Sequence, residues 1–181
     1  MEIIDNFLPA EELLPIQSVM LGNAFPWFYN DYIAYDPDEK NMFVPPGKSD
    51  WNDFQFIHIF YHLNRQYGYQ EICSAYMELI HPILHRLKMF CLLRCKANLT
   101  TGTPKENIPS GFHCDMEYDA TTAVFYLNSN DGYTVFPDGK KVESVANRLV
   151  KFPTLKEHSG VSCSDNKRRI IINFNYIENM R

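Results

Sequence analysis

The residues best placed to do chemistry lie in the second half of the chain. In "GFHCDMEYDATTAVFYLN", residues 111–128, His113 and Asp115 stand two positions apart, just ahead of an apolar run. A further histidine, His158, lies in "LKEHSG", and a basic pair, Arg168 and Arg169, opens "RRIIINFNYI". Two imidazoles and one carboxylate on one face of a metal leave coordination positions open on the other. Alone, His-x-Asp is a weak signal that a surface turn also explains; the order of the segments after it gives it weight.

Other clusters carry less. His81 and His85 are four apart on an expected helix, but no Glu follows His81 and Pro82 lies between them, so a solvated face is expected. His58 and His62, in "FIHIFYHL", are candidates for substrate contact. Cys91 and Cys95 lack the further paired ligands of a zinc site. Cys114, between two candidate ligands, should face away from them on a strand. All three cysteines are expected to be packing residues. Trp27, Phe28, Tyr29 and Tyr32 are expected to anchor core and loops.

Composition limits what such a site can serve. The chain has 181 residues, 45% of them hydrophobic, which suits one domain with a sizeable core, 1–181. Seventeen basic residues stand against 22 acidic ones, a net charge of -5, and no Lys/Arg run is dense enough to neutralise a run of phosphates. Nucleic acid is therefore not favoured as a partner. The opening "MEIIDNFLPAEELLPIQ" lacks the basic-then-apolar pattern of a signal peptide, and no apolar run reaches the roughly 18 residues of a membrane span. The expected location is cytoplasmic, where the five cysteines, an odd number, would be free thiols.

The elements that must position the site divide into two parts. Residues 1–90 read as helical and irregular. "LPAEELLPIQSVML" has Pro9 and two glutamates at a helix start, with Pro15 placed to shorten or restart it. A longer helix, interrupted or kinked at Pro82, is expected across "YQEICSAYMELIHPILHRLKMF", where Ile72, Ala75, Leu79, Ile83 and Leu87 recur at three- and four-residue steps. Residues 24–63 between them should be irregular, with one short strand, one short helix and a share in a cleft. From Cys91 the pattern changes to short β-rich runs bounded by turn residues, as in "NSNDG" and "FPDGKK". The fold class is thus α+β: a double-stranded β-helix (jelly-roll) core over 91–178 with N-terminal helices packed on an outer face.

From "RCKANL" to "INFNY" the chain resembles the Fe(II)/2-oxoglutarate-dependent dioxygenases of the prolyl-hydroxylase-like group. The matching pieces, in order, are "HCD", "TTAVFYLN", "DGYTVFPDG", "NRLVKFP", "EHSG" and "RRIIINFNY". The resemblance implies that His113, Asp115 and His158 hold Fe(II), and that 2-oxoglutarate chelates it beside a position for dioxygen. It also implies a basic residue roughly ten positions after His158 for the far carboxylate, which both Arg168 and Arg169 nearly satisfy. Alternation groups Arg168 with Ile170, Ile172 and Phe174, the more apolar face, and so favours it as the inward one. Tyr126 resembles a position that hydrogen-bonds the same carboxylate. The implied reaction decarboxylates 2-oxoglutarate to succinate and CO2 while hydroxylating a C–H bond of an unknown protein or small-molecule substrate.

Two other readings compete: a non-catalytic β-sandwich binding module, and a cupin-like metalloenzyme that does not use 2-oxoglutarate. The complete ligand set speaks against the first. An arginine after His158 speaks against the second, because a buried cation needs an anion.

Overall fold

The structure is a computed structural model that describes residues 1–30, 54–64, 69–72, 74–103 and 111–179. Its strands are β1 (Glu2–Ile4), β2 (Phe28–Asn30), β3 (Gln55–Asn64), β4 (Tyr69–Ile72), β5 (Met89–Thr101), β6 (Thr121–Tyr126), β7 (Tyr133–Val135), β8 (Lys141–Glu143), β9 (Arg148–Pro153), β10 (Ser159–Val161) and β11 (Arg168–Glu178). Two α-helices, α1 (Ala10–Met20) and α2 (His81–Leu87), and a 3-10 turn over Met77–Ile80 complete the described elements.

The larger sheet runs β1-β9-β6-β11-β5-β3-β2, with β4 beside β3, and the smaller runs β10-β7-β8. All pairings are antiparallel. β11 is the central strand, and alternation gives it two different faces. Ile170, Ile172, Phe174 and Tyr176 join the main core with Ile16 and Met20 of α1 and Ile83 and Leu87 of α2. The opposite face looks into the space between the sheets, where Ile171 packs on Val124, Tyr126, Phe136, Val142, Val150 and Phe152. This is a jelly roll with helices on the outer face of its larger sheet, as the sequence pattern requires.

The N-terminal part departs from expectation. β3 is ten residues long where irregular structure was expected, and with β2 it extends the sheet beyond β5, while β1 extends it beyond β9. The helix expected over 69–90 is reduced to α2, because Tyr69–Ile72 pair with Tyr61–Asn64 as β4. A sheet edge that supplies backbone partners outweighs a helical apolar period. Pro82 starts α2, where its missing N–H would have had no intrahelical partner anyway, and Lys88 ends the helix in the left-handed conformation at φ 51°. Pro15 neither shortens nor restarts α1; it sits on the exposed side of a continuous helix.

Besides the β1–β9 pairing, one side chain ties residues 1–8 to the jelly roll. Asn147, at φ 67°, accepts from Leu8 N at 2.9 Å through Oδ1 and donates Nδ2 to Leu8 O at 2.8 Å. Asn tolerates that left-handed backbone, and its amide mimics a strand pairing. Among the described residues no helix is long and apolar enough to cross a membrane.

Candidate metal centre

His113 and His158 form an isolated antiparallel bridge beside the smaller sheet. Each donates its backbone N–H to the other's carbonyl at 3.0 Å, which sets the imidazole centroids 4.7 Å apart. His113 Nδ1 lies 3.4 Å from Gly111 O, and His158 Nδ1 lies 3.2 Å from Lys156 O. A carbonyl can only accept, so each Nδ1 is placed to carry a proton, and in the neutral ring that leaves the Nε2 lone pair for a metal.

Asp115 completes the cluster. One ligand atom each from His113, Asp115 and His158 lies within 4.8 Å of the others, and His158 Nε2 is 3.9 Å from Asp115 Oδ2. Three ligand atoms at about 2.1 Å from one ion and on one face of it lie about 3 Å apart, so the side chains must close by about 1–2 Å to complete the set. Two neutral imidazoles and one carboxylate, facing one point, suit a divalent transition metal.

The carboxylate is held from several sides. Arg94 Nη2 donates to Oδ1 at 2.9 Å, Thr122 Oγ1 to Oδ2 at 2.9 Å, and Asn175 Nδ2 to Oδ2 at 3.0 Å. Asn173 Nδ2 lies 3.2 and 3.1 Å from the two oxygens. Arg94 is itself oriented by Nε donating to Asn175 Oδ1 at 2.8 Å. Burial alone would raise the pKa of Asp115, but Arg94, His158 and the two asparagine amides outweigh it and hold the carboxyl well below the ordinary range. Burial lowers the pKa of His113, with His158 and Lys96 adding to the shift and Asp115 opposing it, which favours the neutral ligand form.

These partners were not singled out from the sequence, although one signal was available. Asn173 and Asn175 share one face of β11 with Ile171 and Arg169 and alternate with the apolar residues of the other face, a largely polar stripe with no solvent to explain it.

The same stripe decides the arginines. Arg169, 3% exposed, points into the space between the sheets, where Nε donates to Ser144 Oγ at 2.8 Å and Nη2 to Thr134 Oγ1 at 3.2 Å. Tyr126 lies beside it: its ring is 5.6 Å from the guanidinium, and its OH donates to the same Thr134 Oγ1 at 2.7 Å. Among the described residues no carboxylate pairs with Arg169. Arg168 points the other way and donates Nη2 to Leu21 O, 2.6 Å away at the end of α1. The expectation that Arg168 turns inward is therefore corrected: the more apolar face of β11 is the one under the helices, and the face towards the space between the sheets carries Arg169, Asn173 and Asn175 beside Ile171.

Glycine gives this arginine its room. A Cβ on Gly132 would stand 2.8 Å from Arg169 Cδ and 2.8 Å from Val161 O.

The remaining candidates lie elsewhere. His58 is buried on the helix side, with Nδ1 2.8 Å from Pro26 O and Nε2 2.7 Å from Ser74 Oγ, among Phe25, Phe60 and Tyr76. His62, His81 and His85 are exposed. Cys95 is buried and Cys91 partly so, but Cys114 is exposed, its thiol turned to Leu155 O at 3.1 Å, and is no packing residue. Cys73 and Tyr32 lie outside the described residues.

Solved structures with this fold include an oxidoreductase of the 2OG-Fe(II) oxygenase family from Burkholderia pseudomallei, at TM-score 0.65 and 14% identity over 98% of this chain and 85% of that one. A Pseudomonas putida prolyl-4-hydroxylase superimposes at TM-score 0.55 and 16% identity over 98% and 92%. The viral collagen prolyl hydroxylase of Paramecium Bursaria Chlorella virus-1, solved as a 2OG complex, does so at 0.57 and 13% over 99% and 96%. The chain thus has the jelly-roll fold of these oxygenases over nearly its whole length. No protein-family model and no curated protein matches the sequence.

Proposed function

We propose that the protein is an Fe(II)/2-oxoglutarate-dependent oxygenase that hydroxylates a C–H bond of a protein side chain or small molecule. One observation carries the reading: a His113–Asp115–His158 cluster and an acid-free buried Arg169 open into the space between the same two sheets. The first suits iron and the second a carboxylate, and 2-oxoglutarate is a ligand that needs both.

When bound, the iron with 2-oxoglutarate and dioxygen would supply the oxidising chemistry, with succinate and CO2 as the co-products. The chain's own work is placement. His113 and His158 present Nε2 because their Nδ1 protons are committed to carbonyls, and Asp115 stays anionic because four side chains donate to it. Arg169 receives the far carboxylate through its planar fork, with Ser144, Thr134 and Tyr126 fixing the guanidinium. Arg168, bonded to the end of α1, takes no part in this.

The test is succinate release from 2-oxoglutarate by protein loaded anaerobically with Fe(II) and then given oxygen, against Asp115→Ala. Metal-dependent succinate from the wild type alone is expected. No succinate, together with failure of the iron-loaded protein to bind 2-oxoglutarate, overturns the reading in favour of a binding module.

A further inference from the structure

Lys96 stands on the metal side of β5, and the proposed function does not use it. Its chain neighbours Cys95 and Ala97 belong to the main core, so alternation turns Lys96 towards the space that Arg94 and Asp115 share. The Asp115 carboxylate favours the charged ammonium, and the ammonium in turn disfavours protonation of His113. Among the described residues it has neither a hydrogen-bond nor an ion-pair partner.

Two acceptors lie beside it. Asn173, 7% exposed, is opposite Lys96 in the β11–β5 register, and its Oδ1 is buried without a partner while its Nδ2 is held by Asp115. Asn98, two positions along the same face of β5, likewise leaves Oδ1 buried and unpartnered. Rotation of Lys96 onto these oxygens satisfies hydrogen bonds but leaves its charge unbalanced. Across β3, Ile59 pairs with Lys96 and is 38% exposed, an apolar surface next to the cation.

The charge balance points to what is missing. A divalent metal and dianionic 2-oxoglutarate cancel, so among the described residues the loaded centre keeps the cations Arg94, Lys96 and Arg169 against the carboxylate of Asp115. Partly buried positive charge of this kind is costly unless an anion meets it. Burial, with Arg94 adding to it and Asp115 opposing it, already holds the Lys96 pKa down to about 8.

Resting on the oxygenase reading, we propose that Lys96 is the specificity residue for the primary substrate. It would bind a carboxylate that the substrate carries near its reacting carbon, with Asn98 and Asn173 accepting from a neighbouring N–H or O–H. The substrate class is therefore a carboxylic acid: a small organic acid, or a peptide presenting a free carboxylate.

The experiment uses the full chain substituted with Zn(II), which is diamagnetic, and carrying 13C at the lysine ε-carbon. Binding of 2-oxoglutarate is measured first; its failure would sink the oxygenase reading and this one with it. The 2-oxoglutarate complex is then titrated with propionate and, separately, with propionamide, the same shape without the charge. Propionate alone should move the Lys96 resonance, identified by its loss in Lys96→Met. That variant should weaken propionate binding about tenfold or more while leaving 2-oxoglutarate within about twofold, and Lys96→Arg should retain it. A Lys96 signal that neither compound moves, or both move alike, refutes the proposal. Weakened 2-oxoglutarate binding in Lys96→Met would instead give the lysine to the co-substrate.

Discussion

His113 and His158 exchange backbone hydrogen bonds, each N–H to the other's carbonyl at 3.0 Å, so the main chain sets the separation of the two imidazoles. Each ring is then turned by its own Nδ1 contact to a carbonyl two residues earlier. The ligand pair is thereby arranged by groups that no metal touches, and metal binding need order little more than the side chains' final approach.

Asp115→Asn should lower metal affinity more than about 100-fold, since loss of outer partners alone costs about 10–100-fold. It should also destabilise the metal-free protein by about 2–4 kcal/mol, because Arg94 loses its carboxylate. Metal titration and denaturant unfolding read the two effects separately. Arg94→Met should weaken metal binding about 10–100-fold with the ligands intact.

Arg169→Gln should raise the 2-oxoglutarate requirement about 30-fold or more, as expected when a buried charge pair loses one member, with metal affinity unchanged. Arg168→Gln should leave that requirement as it is, because its guanidinium is bonded to Leu21 O on the other side of the sheet. A co-substrate titration of both variants decides between the faces of β11.

Gly132→Ala should act through Arg169. The added Cβ would lie 2.8 Å from Arg169 Cδ, Asn130 Oδ1 and Val161 O, so the arginine must shift or the loop must open. The expected loss is about 1–3 kcal/mol of stability together with weakened 2-oxoglutarate binding. Unchanged co-substrate affinity would show that the side chain yields without cost.

His58 should make stability depend on pH. Burial lowers its pKa in the fold, with the Pro26 carbonyl bond opposing, so the unfolded chain takes up the proton first. The stabilisation is present above the unfolded value of about 6.5 and is lost as pH falls through that value towards the folded one. Unfolding free energies between pH 8 and about 5 should fall less steeply in His58→Phe. Asp115, held low in the fold, works in a lower window: its contribution is present above about 3.9 and is lost as pH falls further.

The sequence by itself determined the β-rich second half and the candidate ligands, because strand alternation, turn residues and a His-x-Asp spacing are local properties that survive without their surroundings. Only the tertiary structure decided which way β11 faces. Its apolar side could have turned to a barrel interior or to a layer of helices, and the packing of α1 and α2 on Ile170, Ile172 and Phe174 settles it. That one choice sends Asn173 and Asn175 towards Asp115, sends Arg169 to Ser144 and Thr134 between the sheets, and sends Arg168 away. β3 and β4 were likewise beyond a local reading, because their backbone partners come from segments distant in the chain, and a strand is specified by what it pairs with as much as by its own residues.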